Sequence, residues 1–200
     1  MEIVLATENL HKVREFREML RNLPGWDVLS LRDFPEYTLP SPPEGSSFEE
    51  SASFKAKHAA HTLHRWVLAD DSGLVVPALG GAPGTQSRTY AGEDATDREN
   101  MEKLLQELNG KQDLDRSAYL QCCLALADSS GVQKAVTGYC EGEIVEQPRG
   151  SNGFGYDALF RKYDYDKTLA ELDENIKIRI SHRRKAFDKI LLFLETVCPV

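Results

Sequence analysis

VLADDSGLVVPALGGAPG, residues 67–84, is the stretch from which the fold is read. Val67, Leu68 and Ala69 form an apolar run of the kind that makes a short buried strand. Two adjacent carboxylates, Asp70 and Asp71, follow, and then Ser72 and Gly73. Successive strand residues point to opposite faces, so both acids address one cleft only where the strand is ending. Gly73 permits the turn that would end it, and we expect the strand to stop at the aspartates. Residues 80–84, GGAPG, carry almost no side chain. They either turn tightly or let something bulky approach the backbone. Asp-Asp-Ser-Gly is also good turn chemistry in proteins that bind nothing there, and on these residues alone both readings stand.

Outward from this stretch, strands and helices alternate. Residues 3–6 are strand-like, and Leu10, Val13, Phe16, Met19 and Leu20 then repeat at helical spacing behind Asn9, a fitting N-cap. Residues 26–31 read as a second strand. Pro35, Pro40, Pro42 and Pro43 make residues 35–47 a loop or arm. Residues 48–63 read as a helix with Ser47 as cap and Glu49 and Glu50 in its first turn. Thr96 caps a helix over 97–108 that closes on Asn109-Gly110. Residues 118–127 and 133–144 are strands joined by Asp128-Ser129-Ser130-Gly131, a hairpin signal. A glycine-rich loop over 149–156, a short strand over 158–160 and a last helix beginning at Ser181 complete the chain. This order gives an α/β fold with a mixed sheet.

The chain has 200 residues, 41% of them hydrophobic and 28% charged, enough for a sizeable core. No apolar run approaches the roughly 20 residues that span a bilayer, and the N-terminus reads as a first strand rather than a signal peptide. The four cysteines show no CxxC spacing, so buried, reduced thiols in the cytoplasm are expected. A net charge of −8 argues against a nucleic-acid polymer as partner. A small anion remains compatible with it, given a cation and local lysines.

Several residue types could carry chemistry. Thr7, Asn9 and Lys12 stand at a strand-to-helix junction, where backbone N–H groups and the helix dipole suit a phosphate. A capped helix with a solvated lysine is the plainer alternative. Glu44, Glu49, Glu50, Asp70 and Asp71 are oxygen donors for a hard cation such as Mg²⁺, or surface acids. Lys55 and Lys57 lie on a polar helix side. Phe154, set between glycines and followed by Gly155, Tyr156 and Asp157, is a stacking platform for a planar base, or a core anchor. Lys177, His182 and Arg183 gather at the start of the last helix, where cations oppose the dipole and an acceptor-bearing ligand would relieve them.

Taken together, these segments resemble the inosine triphosphate/xanthosine triphosphate pyrophosphatases, which sanitise the nucleotide pool. The resemblance rests on LATENLHK (5–12), FEESASFKA (48–56), ADDSGL (69–74), ALGGAPG (78–84), YAGEDATD (90–97), GFGYDALF (153–160) and SHRRKAF (181–187), in order along essentially the whole chain. It implies a single two-lobed domain over 1–200: an elongated mixed sheet with flanking helices, and a nucleotide in the cleft between lobes. It further implies a cytoplasmic homodimer that hydrolyses ITP, dITP or XTP to the monophosphate and pyrophosphate with Mg²⁺. Carried onto matching positions, Asp71 is the general base and Asp70, Asp71 and Glu44 the metal ligands. Thr7, Asn9, Lys12 and Lys55 hold phosphates, with Ser72 nearby. Phe154, Gly155, Tyr156 and Asp157 bracket the base, whose edge is read by Lys177, His182 and Arg183.

The chain departs from the family pattern in places. Glu8 stands where a small residue is usual. Pro43 takes the place of the metal-binding glutamate, with Glu44 one residue later and Glu50 an alternative. Ser87-Arg88-Thr89-Tyr90 shifts an arginine by one position, and Asn175-Ile176 precedes Lys177 in place of glutamates. Alternatives are a pyrophosphatase for another modified or pyrimidine triphosphate, and a nucleotide-binding module without turnover.

Overall fold

The computed structural model describes every residue except Asn22, Pro199 and Val200. Among the described residues six strands form one sheet in the order β2-β1-β3-β4-β5-β6. They are β1 (Glu2–Leu5), β2 (Asp27–Ser30), β3 (Trp66–Val75), β4 (Ser117–Asp128), β5 (Gly131–Ile144) and β6 (Phe160–Lys162). Strand β1 runs parallel to both β2 and β3, with Leu5 opposite Ser30 and Leu68. Strand β6 is antiparallel to β5, so the sheet is mixed, as expected. Among the described residues five α-helices accompany it: α1 (Leu10–Leu20), α2 (Phe48–Leu63), α3 (Asp97–Glu107), α4 (Glu174–Ile180) and α5 (His182–Val197).

The chain divides into two compact units, each discontinuous in sequence. The first comprises residues 1–71, 122–138 and 183–200; the second comprises 72–121 and 139–182. In the first unit Ile3, Val4 and Leu5 of β1 and Val67, Leu68 and Ala69 of β3 are buried, as apolar runs in parallel strands are. Helix α2 starts on the reciprocal bonds of a capping box: Ser47 Oγ accepts from Glu50 N–H at 3.3 Å, and Glu50 accepts from Ser47 N–H at 2.8 Å. Its buried face carries small residues, Ser51, Ala52, Ala56, Ala59 and Ala60, behind Phe48. The core of the second unit joins Leu74, Val76, Leu104, Leu108, Leu120, Ile144, Phe160 and Leu169.

Strand β3 overturns one expectation. It does not stop at the aspartates but runs through Asp70, Asp71, Ser72 and Gly73 to Val75. Gly73 is absent from the positive-φ glycines, so it continues the strand. The tight turn falls later: Gly80 N–H and Gly81 N–H donate to Pro77 and Val76 carbonyls at 3.0 and 3.1 Å. The last strand is also displaced, to residues 160–162, because Leu159 and Phe160 N–H both return to the Tyr156 carbonyl. Helix α4 was not expected; Lys177 lies in its last turn, and α5 begins after Ser181.

Cys122, Cys123 and Cys140 are buried free thiols, while Cys198 is partly exposed. A thiol reagent should therefore modify about one cysteine per chain in the native protein and all four in denaturant, since burial blocks access. Rapid native modification of Cys122, mapped by peptide mass, would contradict this packing.

Candidate active site

Because β3 stays extended, it sends its two acids to opposite sides. The Asp70 side chain is 0% exposed, whereas that of Asp71 retains 19%. Asp70 Oδ1 lies 2.7 Å from Lys12 Nζ. Its Oδ2 accepts from Arg183 Nε at 3.3 Å and faces the Cys122 thiol at 3.7 Å. Arg183 also donates through Nη1 to Glu15, which is itself buried. Asp71 accepts from Lys55 Nζ at 2.6 Å through Oδ1, and Oδ2 carries no hydrogen bond among the described residues.

These partners come from four elements of the first unit, α1, α2, β4 and α5. Lys12 and Glu15 are three residues apart on α1, hence neighbours on its surface, and Arg183 is the second residue of α5. Burial works against the Arg183 charge, but Glu15 and then Asp70 outweigh it and hold its pKa above the ordinary value. Burial, reinforced by Asp70, pushes the Cys122 thiol well up, so it remains a neutral S–H. With both oxygens already facing cations, Asp70 is a poor metal ligand. Asp71, with one open oxygen, fits a hard cation.

At the start of α1 the expected phosphate cradle is partly filled from within. Asn9 Oδ1 accepts from His11 and Lys12 N–H at 2.9 and 3.3 Å, and Thr7 Oγ1 accepts from Asn9 N–H at 3.2 Å. What remains for an anion is the Thr7 hydroxyl proton, the Asn9 amide and the Lys12 ammonium. On the arm, Glu44 is exposed in a turn. Glu50 is committed to the α2 cap, and the Ser47 backbone and hydroxyl bonds lower its pKa. Lys57 is exposed, without the carboxylate that Lys55 has.

The second unit gathers the other group. Asp157 Oδ2 accepts from Phe154 N–H at 2.9 Å and from Lys177 Nζ at 2.6 Å. The Lys177 ammonium also sits 4.7 Å from the Phe154 ring centroid, a cation–π distance. Gly153, at φ +79°, has no room for a side chain: a Cβ would overlap Asp157 Oδ2 and come 3.1 Å from Lys177 Nζ. Gly155 N–H donates to Asp97 at 2.6 Å, and the Tyr156 hydroxyl donates to the Ser87 carbonyl at 3.0 Å. Burial, then Tyr90 and Asp97, raises the Tyr156 pKa, which keeps that hydroxyl a donor. His182 is buried in this unit and Ser72 is half-buried.

Lys177 and His182 therefore belong to one unit and Arg183 to the other. His182 and Arg183 open α5 as expected, whereas Lys177 lies in the last turn of α4, and Lys177 and Arg183 each meet a carboxylate. Glu15, Cys122 and Asp97 were not anticipated. For Glu15 a signal existed: it shares an α1 face with Lys12 and Met19, where a solvated acid would not be buried.

The Ham1 family model matches residues 3–193. The chain is 56% identical to the dITP/XTP pyrophosphatase of Protochlamydia amoebophila, over 98% of this chain and 99% of that protein. It is 49% identical to the dITP/XTP pyrophosphatase of Chlamydia abortus, over 98% and 95% respectively. Among solved structures it is similar to the Staphylococcus aureus Ham1 protein, with a TM-score of 0.86 and 39% identity over 98% of this chain and 100% of that one. A HAM1 protein from Coxiella burnetii gives a TM-score of 0.86 and 41% identity over 98% and 99%.

The geometry predicts a contrast between adjacent arginines. Arg183→Ala removes the buried guanidinium that Glu15 and Asp70 share, leaving Asp70 with Lys12, and should cost about 3–5 kcal/mol. Arg184→Ala removes a surface pair with Asp188 and should cost about 1 kcal/mol or less. Urea unfolding midpoints compare the two; equal, small shifts would contradict the buried network.

Proposed function

The chain belongs to the Ham1 family, and from that premise we propose that it hydrolyses ITP, dITP and XTP, purine triphosphates outside the standard set, to the monophosphate and pyrophosphate. The observation that carries the mechanism is the Asp71 carboxylate, oriented through one oxygen by Lys55 and open at the other. That oxygen takes the proton of an in-line water. The water oxygen bonds to the α-phosphorus as the bond to the α–β bridging oxygen breaks, and pyrophosphate departs. A well-placed general base contributes about 10²–10⁴-fold.

The first unit supplies phosphate-holding groups, namely Lys12, Lys55, the Thr7 hydroxyl and the Asn9 amide, and Ser72, the next residue along β3, begins the second unit. We place Arg183 with them, as the residue that fixes Asp70 and through it Lys12. Mg²⁺ bound with the substrate supplies charge neutralisation on the leaving pyrophosphate. Asp71 would hold it, because Mg²⁺ characteristically takes only one or two protein carboxylates. Among the described residues no three His, Cys, Asp or Glu side chains gather to bind an ion by themselves, which agrees with a cation that arrives with the phosphates. Glu44, on the arm, is the further carboxylate within this reading.

The second unit supplies the base group. Phe154 offers a ring for stacking, Gly155, Tyr156 and Asp157 shape the loop around it, and Lys177 and His182 read the base edge. Donors facing a 6-keto oxygen reject adenine, whose amino group would leave them unpaired, and such mismatches discriminate strongly. No helix among the described residues is long and apolar enough to cross a membrane. A cytoplasmic homodimer acting on free nucleotides completes the reading.

The test is a panel of purine and pyrimidine triphosphates with Mg²⁺, with pyrophosphate and orthophosphate measured separately. We expect pyrophosphate from dITP and XTP, no turnover after chelation, and a loss of roughly 10²-fold or more in a folded Asp71→Asn variant. Orthophosphate as the product, or near-native turnover by that variant, would overturn the assignment.

A further inference from the structure

Helix α3 opens with one carboxylate more than its own capping needs. Thr96 Oγ1 accepts from Glu99 N–H at 3.3 Å, and Glu99 accepts from Thr96 N–H and Oγ at 2.8 Å, a complete capping box. Asp97, between them, does not turn back onto the helix. Its Oδ2 reaches 58 residues along the chain to accept the Gly155 N–H at 2.6 Å. The loop that it grips has glycines at φ +79° and +60° on either side of Phe154. Such a segment loses more conformational freedom on ordering than any other, so the placement of Phe154 depends on what ties the loop down.

The ties divide by origin. Phe154 N–H to Asp157 is made within the loop. Tyr156 OH to Ser87, Lys177 to Asp157 and Gly155 N–H to Asp97 come from outside it, and the Asp97 bond brings an outside carboxylate onto the loop's own backbone. From this geometry we infer that Asp97 is a positioning residue for substrate selection: it holds Gly155, and so presents the Phe154 ring and the Lys177–Asp157 pair in register for the purine. The inference rests on the functional reading above and assigns within it a residue that touches neither base nor phosphate.

The effect belongs in substrate binding rather than in the chemical step. Asp97→Ala should raise KM for dITP and XTP roughly tenfold, the scale of one lost charge-assisted bond, with kcat within about twofold. Asp97→Asn keeps an acceptor oxygen and should recover most of that loss. Glu99→Ala removes the α3 capping box without touching the loop. It should lower the melting temperature and leave KM unchanged. If Asp97→Ala keeps a wild-type KM, or Glu99→Ala raises KM as much as Asp97→Ala does, the inference is overturned while the activity stands. If the wild-type protein turns over neither dITP nor XTP, the functional reading fails and the inference falls with it.

Discussion

Arg183 sits with its side chain 2% exposed between two buried carboxylates, Glu15 and Asp70, and the first unit cannot be assembled without satisfying that arrangement. Taking any one of these charges out of water costs several kcal/mol. The cost is met only if α1, β3 and α5 arrive together, since each brings part of the set. Lys12 closes it at Asp70 Oδ1, leaving two cations against two anions. A buried network of this kind is weak evidence for net stability, because well-packed apolar residues often do as well. What it fixes is geometry. A long, flexible lysine, which would otherwise sample many rotamers, is held to one carboxylate at the head of α1.

The same device appears in the second unit on a smaller scale. Asp157 gathers a backbone N–H and the Lys177 ammonium on one oxygen, and the glycine at 153 is there because that oxygen occupies the space of a Cβ. In both units, then, a lysine proposed to meet substrate is already seated on an aspartate. An incoming phosphate or base edge competes with a short ion pair that is in place, and the lysine moves little when it does. Pre-organisation of this sort lowers the ordering cost of binding.

Much of this was legible in the sequence because it is local. The capping boxes at Ser47 and Thr96, the hairpin at 128–131 and the extent of α2 follow from spacing and turn chemistry within a few residues. The proposal that Lys12, Lys55, Asp71 and Phe154 are site residues comes from motif resemblance. Pairwise geometry was not legible. Gly73 read as a strand end but continues β3, since glycine permits a turn without requiring one. That misreading set Asp70 and Asp71 toward one cleft, whereas strand alternation separates them. Lys177 and Arg183, close in sequence, have different partners because α4 ends and α5 begins between them. Glu15 and Asp97 act across 168 and 58 residues of chain, distances at which no local pattern speaks.

The central claim is a division of labour between residues, in which Lys12 is proposed to hold phosphates and Lys177 to read base identity. The ratio of kcat/KM for dITP to that for dATP tests it most directly, measured in Lys12→Met and in Lys177→Met. Phosphates carry no base identity, so the account predicts that Lys12→Met lowers both substrates by the same factor and preserves the ratio. Lys177→Met should lower dITP far more than dATP and shrink the ratio roughly tenfold or more. A ratio that survives Lys177→Met, or collapses in Lys12→Met, would contradict it.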